Sequence, residues 1–347
     1  MRAGRLLSSK VRSGLEVYET VSYTSGVLMI GSAGRVEMSS VRAHLMMCAM
    51  RVLCVRRGLD GDERIRRTIA ADRRKGPAVP SAGLRARLDV REEEFEGHGV
   101  YVLGPRSGQP RRRVLYLHGG GWVRPITDPH WETIAKLAEL LHCSVTVPMY
   151  PLAPEHTARE IFAWLIALYA DRASGDELTL MGDSSGGNLA LSLAMQARDR
   201  GLPAPARLVL LSPLVDATVS DPVIDELDRI DPIIPARGLR VLTRMFAGDI
   251  DLSDPVVSPL FGILDGLPPI ALLSGTREIL GADAHRLWSK ATALGFPLTW
   301  HEYPGMPHVW PLFPIPEARR ALDEIAAFVT GASGIDRGLS RVPGSAG

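Results

Sequence analysis

A serine between two glycines is the strongest chemical signal in the chain. Residues 182–186 (GDSSG) follow the apolar run 177–181 and precede a helical pattern. Between a strand and a helix, a G-x-S-x-G turn holds its serine in a strained, exposed backbone position, because the glycines lack the Cβ atoms that would clash. The pattern predicts Ser184 as a nucleophile and excludes Ser185, since Asp183 rather than glycine stands two residues before Ser185. The alternative is an ordinary glycine-rich turn without a catalytic role. The predicted strand before the motif and the predicted helix after it favour the nucleophile.

A second glycine-rich segment supplies candidate backbone donors. Residues 118–122 (HGGGW) follow the strand-like run 113–117. Acyl transfer builds negative charge on a carbonyl oxygen, and N–H groups fixed towards that oxygen stabilise the intermediate. We predict the N–H groups of Gly119, Gly120 and Ser185 as these oxyanion donors. A phosphate cradle is the alternative, but the segment has neither G-x-G-x-x-G nor a following Gly-Lys-Ser/Thr.

A serine needs a base to become nucleophilic at neutral pH, and the base needs a carboxylate that orients it. In the order serine, acid, histidine, both partners lie downstream of Ser184. His285 falls in a helical stretch and His301 in a strand-like one, whereas His308 lies in the loop 304–308 (PGMPH) after the last predicted strand. His308 is therefore the predicted base.

Two carboxylates compete for the role of the acid. Glu278 lies in the loop that follows the strand-like run 269–273, at its carboxyl end. Asp283 lies in the first turn of the next predicted helix, where the helix dipole favours a carboxylate for purely structural reasons. The sequence favours Glu278 and leaves open whether Asp283 assists or replaces it.

The elements that must position these residues alternate along the chain. Strand-like runs occupy 99–103, 113–117, 144–148, 177–181, 207–211, 269–273 and 297–303. Helical patterns lie near 131–142, 157–172, 188–200, 283–294 and 316–329. Such alternation predicts an α/β fold, with a mostly parallel sheet covered by helices on both faces.

Three segments stand outside this alternation. Residues 1–40 and 331–347 lack apolar periodicity, and we predict both as disordered tails. The segment 216–258 contains Pro, Asp and one helical pattern, which predicts an insertion over the carboxyl edge of the sheet. Another helical pattern lies within 41–75, and its apolar stripe favours core packing over the wall of an adaptable pocket. The members of that stripe are Leu45, Met46, Ala49, Met50 and Leu53.

Composition excludes several classes of protein. The chain has 347 residues with 40 basic and 39 acidic side chains, a formal net charge of +1, so no global field draws it to nucleic acid or to an anionic membrane. Its three cysteines form no C-x-x-C pair, which argues against a disulfide framework and a zinc site. The early apolar stretch 27–30 is far shorter than the roughly 18 residues of a membrane span. We expect a cytoplasmic protein without nucleic-acid partners or a stable membrane anchor.

Four motifs share one order and spacing with a known family. They are 118–122 (HGGGW), 150–156 (YPLAPEH), 182–188 (GDSSGGN), and Glu278 with His308. Together they resemble the hormone-sensitive lipase family of α/β-hydrolases, in its bacterial carboxylesterase branch, over roughly residues 90–330. The resemblance implies the α/β-hydrolase fold over 89–330, with a helical cap formed by 41–88 and by the insertion 216–258.

The resemblance also implies roles for residues near 118–122, the glycine loop. Glu155 and His156 are expected to support that loop, and Trp122 either lines an acyl pocket or packs beside the loop. The chain departs from the family pattern at Glu278, where Asp is usual, and at Ser185, where Ala is common.

Together these features predict a serine carboxylic ester hydrolase that forms an acyl-enzyme through Ser184, His308 and Glu278. The predicted reaction requires no metal and no organic cofactor. The expected partner is a small-molecule ester, with a short- to medium-chain acyl group implied by the resemblance. A non-catalytic small-ligand receptor on the same fold is one alternative, and an interfacial lipase, disfavoured by the lack of an apolar anchor, is another. The natural ester and the oligomeric state stay open, a homodimer being one option.

Overall fold

The computed structural model describes residues 23–24, 27–28, 39–53, 55–108, 110–173 and 177–332. The predicted disordered tails, 1–40 and 331–347, lie almost entirely outside these residues. Within the first of them, Tyr23–Thr24 pairs antiparallel with Val27–Leu28, a hairpin that the missing periodicity did not predict.

Eight strands form the main sheet of residues 39–332. They are β1 (Leu88–Phe95), β2 (His98–Pro105), β3 (Arg113–Leu117), β4 (Ser144–Pro148), β5 (Leu178–Asp183), β6 (Arg207–Leu211), β7 (Ile270–Arg277) and β8 (Leu298–Pro307). Their spatial order is β8-β7-β6-β5-β3-β4-β2-β1, and β3 to β8 run parallel. The predicted mostly parallel sheet is confirmed.

Among these strands, only β1 was not predicted from the sequence. It pairs antiparallel with β2 at the edge of the sheet, and three of its residues are consecutive glutamates, 92–94. An edge strand with solvent on one side tolerates such charges, which hide the apolar alternation used to recognise strands.

Ten helices accompany the sheet in the described part of the chain. They are α1 (Val41–Val52), α2 (Asp62–Lys75), α3 (Ala82–Arg87), α4 (Asp128–Leu141), α5 (Ala158–Arg172), α6 (Ser185–Asp199), α7 (Ile224–Leu227), α8 (Ala236–Ala247), α9 (Gly281–Ala293) and α10 (Pro316–Thr330). None of the helices described has both the length and the apolar composition that crossing a membrane requires.

Two hydrophobic clusters bury the two faces of the sheet. Along β3, Leu115 and Leu117 join the cluster that contains α5, α6 and α9, whereas Val114 and Tyr116 join the cluster that contains α4 and α10. This alternation is the period of two that a strand imposes on its side chains. A slip of one residue would turn each of these side chains to the other face of the sheet. Because burial of each leucine contributes about 1.5–3 kcal/mol to folding, the packing fixes the register of the central strands.

The prediction that the apolar stripe of α1 packs in the core is wrong, because the helix buries a different face. Leu45 is 65% exposed and Leu53 is 75% exposed, whereas Ala43 and Met47 are buried. The N-terminus of the helix sets this orientation, because the backbone N–H of Ser40 donates to the Glu317 carboxylate of α10 at 2.5 Å and the Ser40 hydroxyl donates to it at 3.0 Å.

The N-terminal helical segment packs on the insertion 216–258. Arg56 pairs with the Asp228 carboxylate at 2.5 Å, and Gly238 of α8 lies against the carbonyl of Leu59. A Cβ at Gly238 would lie 1.9 Å from that oxygen, so only glycine permits this approach. The N-terminal helical segment and the insertion are therefore in direct contact.

Candidate active site

Ser184 occupies the turn between β5 and α6. Its backbone has φ of 54° and ψ of −121°, a strained combination for a residue with a Cβ. A Cβ on Gly186 would lie 2.0 Å from the carbonyl oxygen of Leu117, and one on Gly182 would lie 2.3 Å from the oxygen of Gly186. The glycines are therefore required for the sharp turn that leaves Ser184 partly exposed.

Ser184, His308 and Glu278 meet at the carboxyl ends of β5, β8 and β7. Nε2 of His308 lies 2.8 Å from Oγ of Ser184, and Nδ1 lies 2.6 Å from Oε2 of Glu278. A carboxylate accepts only, so Nδ1 carries the ring proton and Nε2 of the neutral ring is left to accept one from the Ser184 hydroxyl. The structure brings together the three residues that the sequence singled out.

Ser212, which sequence reasoning missed, connects Glu278 to the loop that carries His308. Its hydroxyl donates to Oε1 of Glu278 at 2.9 Å and accepts the N–H of Val309 at 3.2 Å. Oε1 also accepts the N–H of Gly275 at 2.5 Å, and Glu278 is fully buried. The place of Ser212, directly after β6 on the same sheet edge, was the signal available in the sequence.

Asp283 lies outside this hydrogen-bonded chain. Its Oδ2 accepts the N–H groups of Val215 at 2.9 Å and Asp216 at 3.0 Å. Burial raises the pKa of Asp283 to about 7. Among the described contacts, Nδ1 of His308 donates to Glu278 and not to Asp283.

The prediction of Gly119 as an oxyanion donor is wrong. Its N–H donates to Oδ1 of Asp183 at 3.0 Å, so a buried carboxylate already uses this group. Across the described residues, the N–H groups of Gly120, Gly121 and Ser185 donate to no protein acceptor. Gly120 and Ser185 therefore stay candidate donors, and Gly121 takes the place of Gly119 as the third candidate.

Two peptide groups of the glycine loop are held by their carbonyls. Nδ1 of His118 donates to the carbonyl of Gly119 at 2.7 Å, and the N–H of Arg124 donates to the carbonyl of Gly120 at 3.0 Å. In a trans peptide the C=O and the following N–H point in opposite directions. These bonds therefore fix the directions of the Gly120 and Gly121 N–H groups.

His118 is neutral at neutral pH. Burial, together with the nearby His130, lowers the pKa of His118 to about 4. The ring stacks on Tyr150 with centroids 4.5 Å apart, and the Tyr150 hydroxyl donates to the carbonyl of His118 at 2.6 Å. Because a carbonyl oxygen only accepts, the proton of this neutral ring lies on Nδ1.

The expected roles of Glu155 and His156 are not what their contacts show. Glu155 pairs with Arg73 at 3.0 Å, and the nearest charged partner of His156 is Glu160 at 3.8 Å. Support for the glycine loop comes instead from earlier in the same motif, through Tyr150.

Trp122 packs against the insertion. It is fully buried, and its ring stacks on Phe246 of α8 with centroids 4.2 Å apart and planes within 3°. Its backbone N–H donates to Oγ of Ser185 at 3.2 Å. Ser185 therefore adds a side-chain tie between the nucleophile turn and the glycine loop that alanine at this position would lack.

Known proteins share this architecture. A family model described as the alpha/beta hydrolase fold matches residues 114–312. An esterase from Acinetobacter venetianus is 33% identical over 62% of this chain and 74% of its own length. An acetyl-hydrolase from Streptomyces hygroscopicus is 31% identical over 69% of this chain and 82% of its own length.

Solved structures agree in fold. The crystal structure of EstE5 superposes with a TM-score of 0.74 at 26% identity, covering 84% of this chain and 99% of that one. An esterase from the bacterial hormone-sensitive lipase family superposes with a TM-score of 0.71 at 25% identity, covering 85% and 99%. The chain belongs to the hormone-sensitive lipase family of α/β-hydrolases. This hydrolase is an esterase, as the sequence predicted.

Electrostatics at the centre of this esterase favour the protonated histidine. Burial opposes a charge on His308, but the hydrogen bond and charge of Glu278, with the charges of Asp231 and Asp183, outweigh it. The pKa of His308 is therefore raised above its ordinary value of 6.5. The neutral ring, the only form that can accept a proton, therefore predominates only above that raised pKa.

We expect kcat/KM for a neutral ester to fall as the pH drops through the raised pKa of His308, because the protonated ring accepts no proton. The midpoint of this acidic limb should lie above 6.5. Hydrolysis of p-nitrophenyl acetate between about pH 5 and pH 9 measures it. Asp283→Asn, which removes a second group that titrates near neutrality, should keep the midpoint; a midpoint below 6.5 in the parent contradicts the account.

Proposed function

We propose that this esterase is a serine carboxylesterase that acts through Ser184, His308 and Glu278 by way of an acyl-enzyme. The observation that carries the proposal is the unbroken hydrogen-bonded chain from Oγ of Ser184 to Oε2 of Glu278, with links of 2.8 and 2.6 Å. Such a chain supplies a nucleophile, a base and a group that orients the base.

In the first step Oγ of Ser184 attacks the ester carbonyl while Nε2 of His308 takes the hydroxyl proton. Glu278 holds the ring and stabilises its positive charge. The carbonyl oxygen becomes an oxyanion, which the N–H groups of Gly120, Gly121 and Ser185 stabilise. The tetrahedral intermediate collapses, and the alkoxide leaves with the proton from His308.

In the second step water attacks the acyl-enzyme. His308 takes a proton from the water, and the same N–H groups stabilise the second oxyanion. Collapse breaks the bond between the acyl carbon and Ser184, and Oγ takes back the proton from His308. The carboxylic acid is released, and the free enzyme is restored.

We propose that the segment 41–88 and the insertion 216–258 form the cap over this site and limit the acyl chain to short or medium length. The stacked pair of Trp122 and Phe246 supports this, because two fully buried rings fill the space beside the glycine loop. Leu242 of α8 adds to it, since a Cβ on Gly121 would lie 2.8 Å from its Cδ1.

Acyl chains of roughly two to eight carbons should therefore be cleaved fastest, with little activity on chains of sixteen carbons. A series of p-nitrophenyl esters of increasing acyl length measures this. Phe246→Ala removes one ring of the stack and should move the optimum towards longer chains. A rate that keeps rising to sixteen carbons in the parent refutes the limit.

Glu278→Gln keeps the shape of the side chain but removes its charge. It also removes the acceptor that selects the His308 tautomer with the proton on Nδ1, so kcat should fall by about 10²- to 10⁴-fold. Asp283→Asn is the matched control, because Asp283 is equally buried yet binds backbone N–H groups instead of His308. It should cost less than about tenfold. Glu278→Asp should keep partial activity, since the charge survives while the reach shortens. Near-normal turnover in Glu278→Gln with a crippled Asp283→Asn would transfer the role to Asp283.

A further inference from the structure

A buried carboxylate of the insertion reaches the loop that carries the acid. Asp231 lies between α7 and α8 and is 2% exposed. Its Oδ2 accepts the N–H of Ile279 at 2.9 Å, and its Oδ1 accepts the N–H groups of Ile233 at 2.7 Å and Ile234 at 3.0 Å. One side chain thus bonds both to its own segment and to the loop after β7.

The bond to Ile279 fixes the backbone of the acid itself. Ile279 directly follows Glu278, so its N–H belongs to the peptide group whose carbonyl is that of Glu278. That carbonyl accepts the N–H of Gly281 at 3.2 Å. Both polar ends of this peptide are therefore held, and the donor end is held by Asp231 from outside the loop.

Asp231 also acts on His308 through its charge. The charged groups that act on the ring are Glu278, which is hydrogen-bonded to it, and Asp231 and Asp183, which favour its protonated form. Burial raises the pKa of Asp231, opposed by His308 and by its three backbone donors. Three backbone N–H bonds and electrostatic attraction to His308 keep this carboxylate compatible with its buried site.

The other end of this connection reaches the N-terminal segment. The backbone carbonyl of Asp231 accepts a bond from Arg56 at 3.1 Å, and Arg56 also pairs with the Asp228 carboxylate at 2.5 Å. Arg56 belongs to a short 3₁₀ helix, Val55–Leu59, that precedes α2. Contacts therefore run from the N-terminal segment through the insertion to the backbone of Glu278.

We propose that Asp231 is a positioning residue through which the insertion controls the triad: it holds the backbone of Glu278 so that the carboxylate meets His308, and its charge favours the imidazolium formed during ester cleavage. The proposal rests on the proposed function. It makes hydrolysis depend on the docking of the insertion, because displacement of 216–258 removes a backbone partner and a negative charge from the site together.

Asp231→Asn tests the charge while it keeps the size of the side chain and one acceptor oxygen. The expected result is a fall in kcat of about tenfold or more, with KM for p-nitrophenyl acetate within about twofold, and an acidic midpoint of kcat/KM shifted to lower pH. The shift has this sign because removal of a negative charge makes the imidazolium less favourable. A merely structural role would leave the midpoint unchanged.

Asp283→Asn is the matched control, since Asp283 is a carboxylate of similar burial that also accepts two backbone N–H groups. It should keep the midpoint of the parent. Asp231→Glu retains the charge but changes the reach, so it should keep the midpoint and lower kcat. This second variant decides the positioning part of the proposal if Asp231→Asn fails to fold.

An unchanged midpoint in folded Asp231→Asn overturns the electrostatic part, and parental kcat in both Asp231 variants overturns the positioning part. Failure of the proposed function gives a different result. In that case Ser184→Ala retains turnover, whatever the Asp231 variants do.

Discussion

The structure depends on one side chain with two hydrogen bonds, because His308 must meet Ser184 and Glu278 at once. Links of 2.8 and 2.6 Å leave little freedom for the three loops that carry these residues. Parallel strands deliver their carboxyl ends to one edge, so β5, β7 and β8 bring residues separated by up to 124 positions within bonding distance. The sheet is thus the frame that makes the contact repeatable.

Around this contact, hydrogen bonds also fix the backbone of the glycine loop. The carbonyl of Gly119 is held by His118 and that of Gly120 by Arg124, which directs two N–H groups before any substrate arrives. Donors oriented in advance stabilise a developing oxyanion without the cost of reorganisation. The Ser184 backbone is also fixed in advance, since its neighbours hold an unfavourable conformation that leaves its hydroxyl partly exposed.

Much of this was predictable where chemistry follows from local pattern. The glycines around Ser184 predict its turn. Glu278 and His308 are predictable because each lies in a loop directly after a strand with a clear apolar run. The prediction of Gly119 fails because a motif shows which N–H groups are unhindered, but not which of them a distant carboxylate, here that of Asp183, already binds. Asp231 could not be found from sequence, since its role depends on how the irregular insertion folds back on the sheet.

Formation of a covalent bond at Ser184 is the central claim, and a phosphonate ester tests it directly. Reaction with a p-nitrophenyl phosphonate should release one nitrophenolate per chain, and the phosphonyl group should map by mass spectrometry to the peptide that contains Ser184. Ser184→Ala should take up no label and lose about 10⁴- to 10⁶-fold in turnover, whereas Ser185→Ala should still be labelled. Label on another residue, or full turnover in folded Ser184→Ala, would contradict the account.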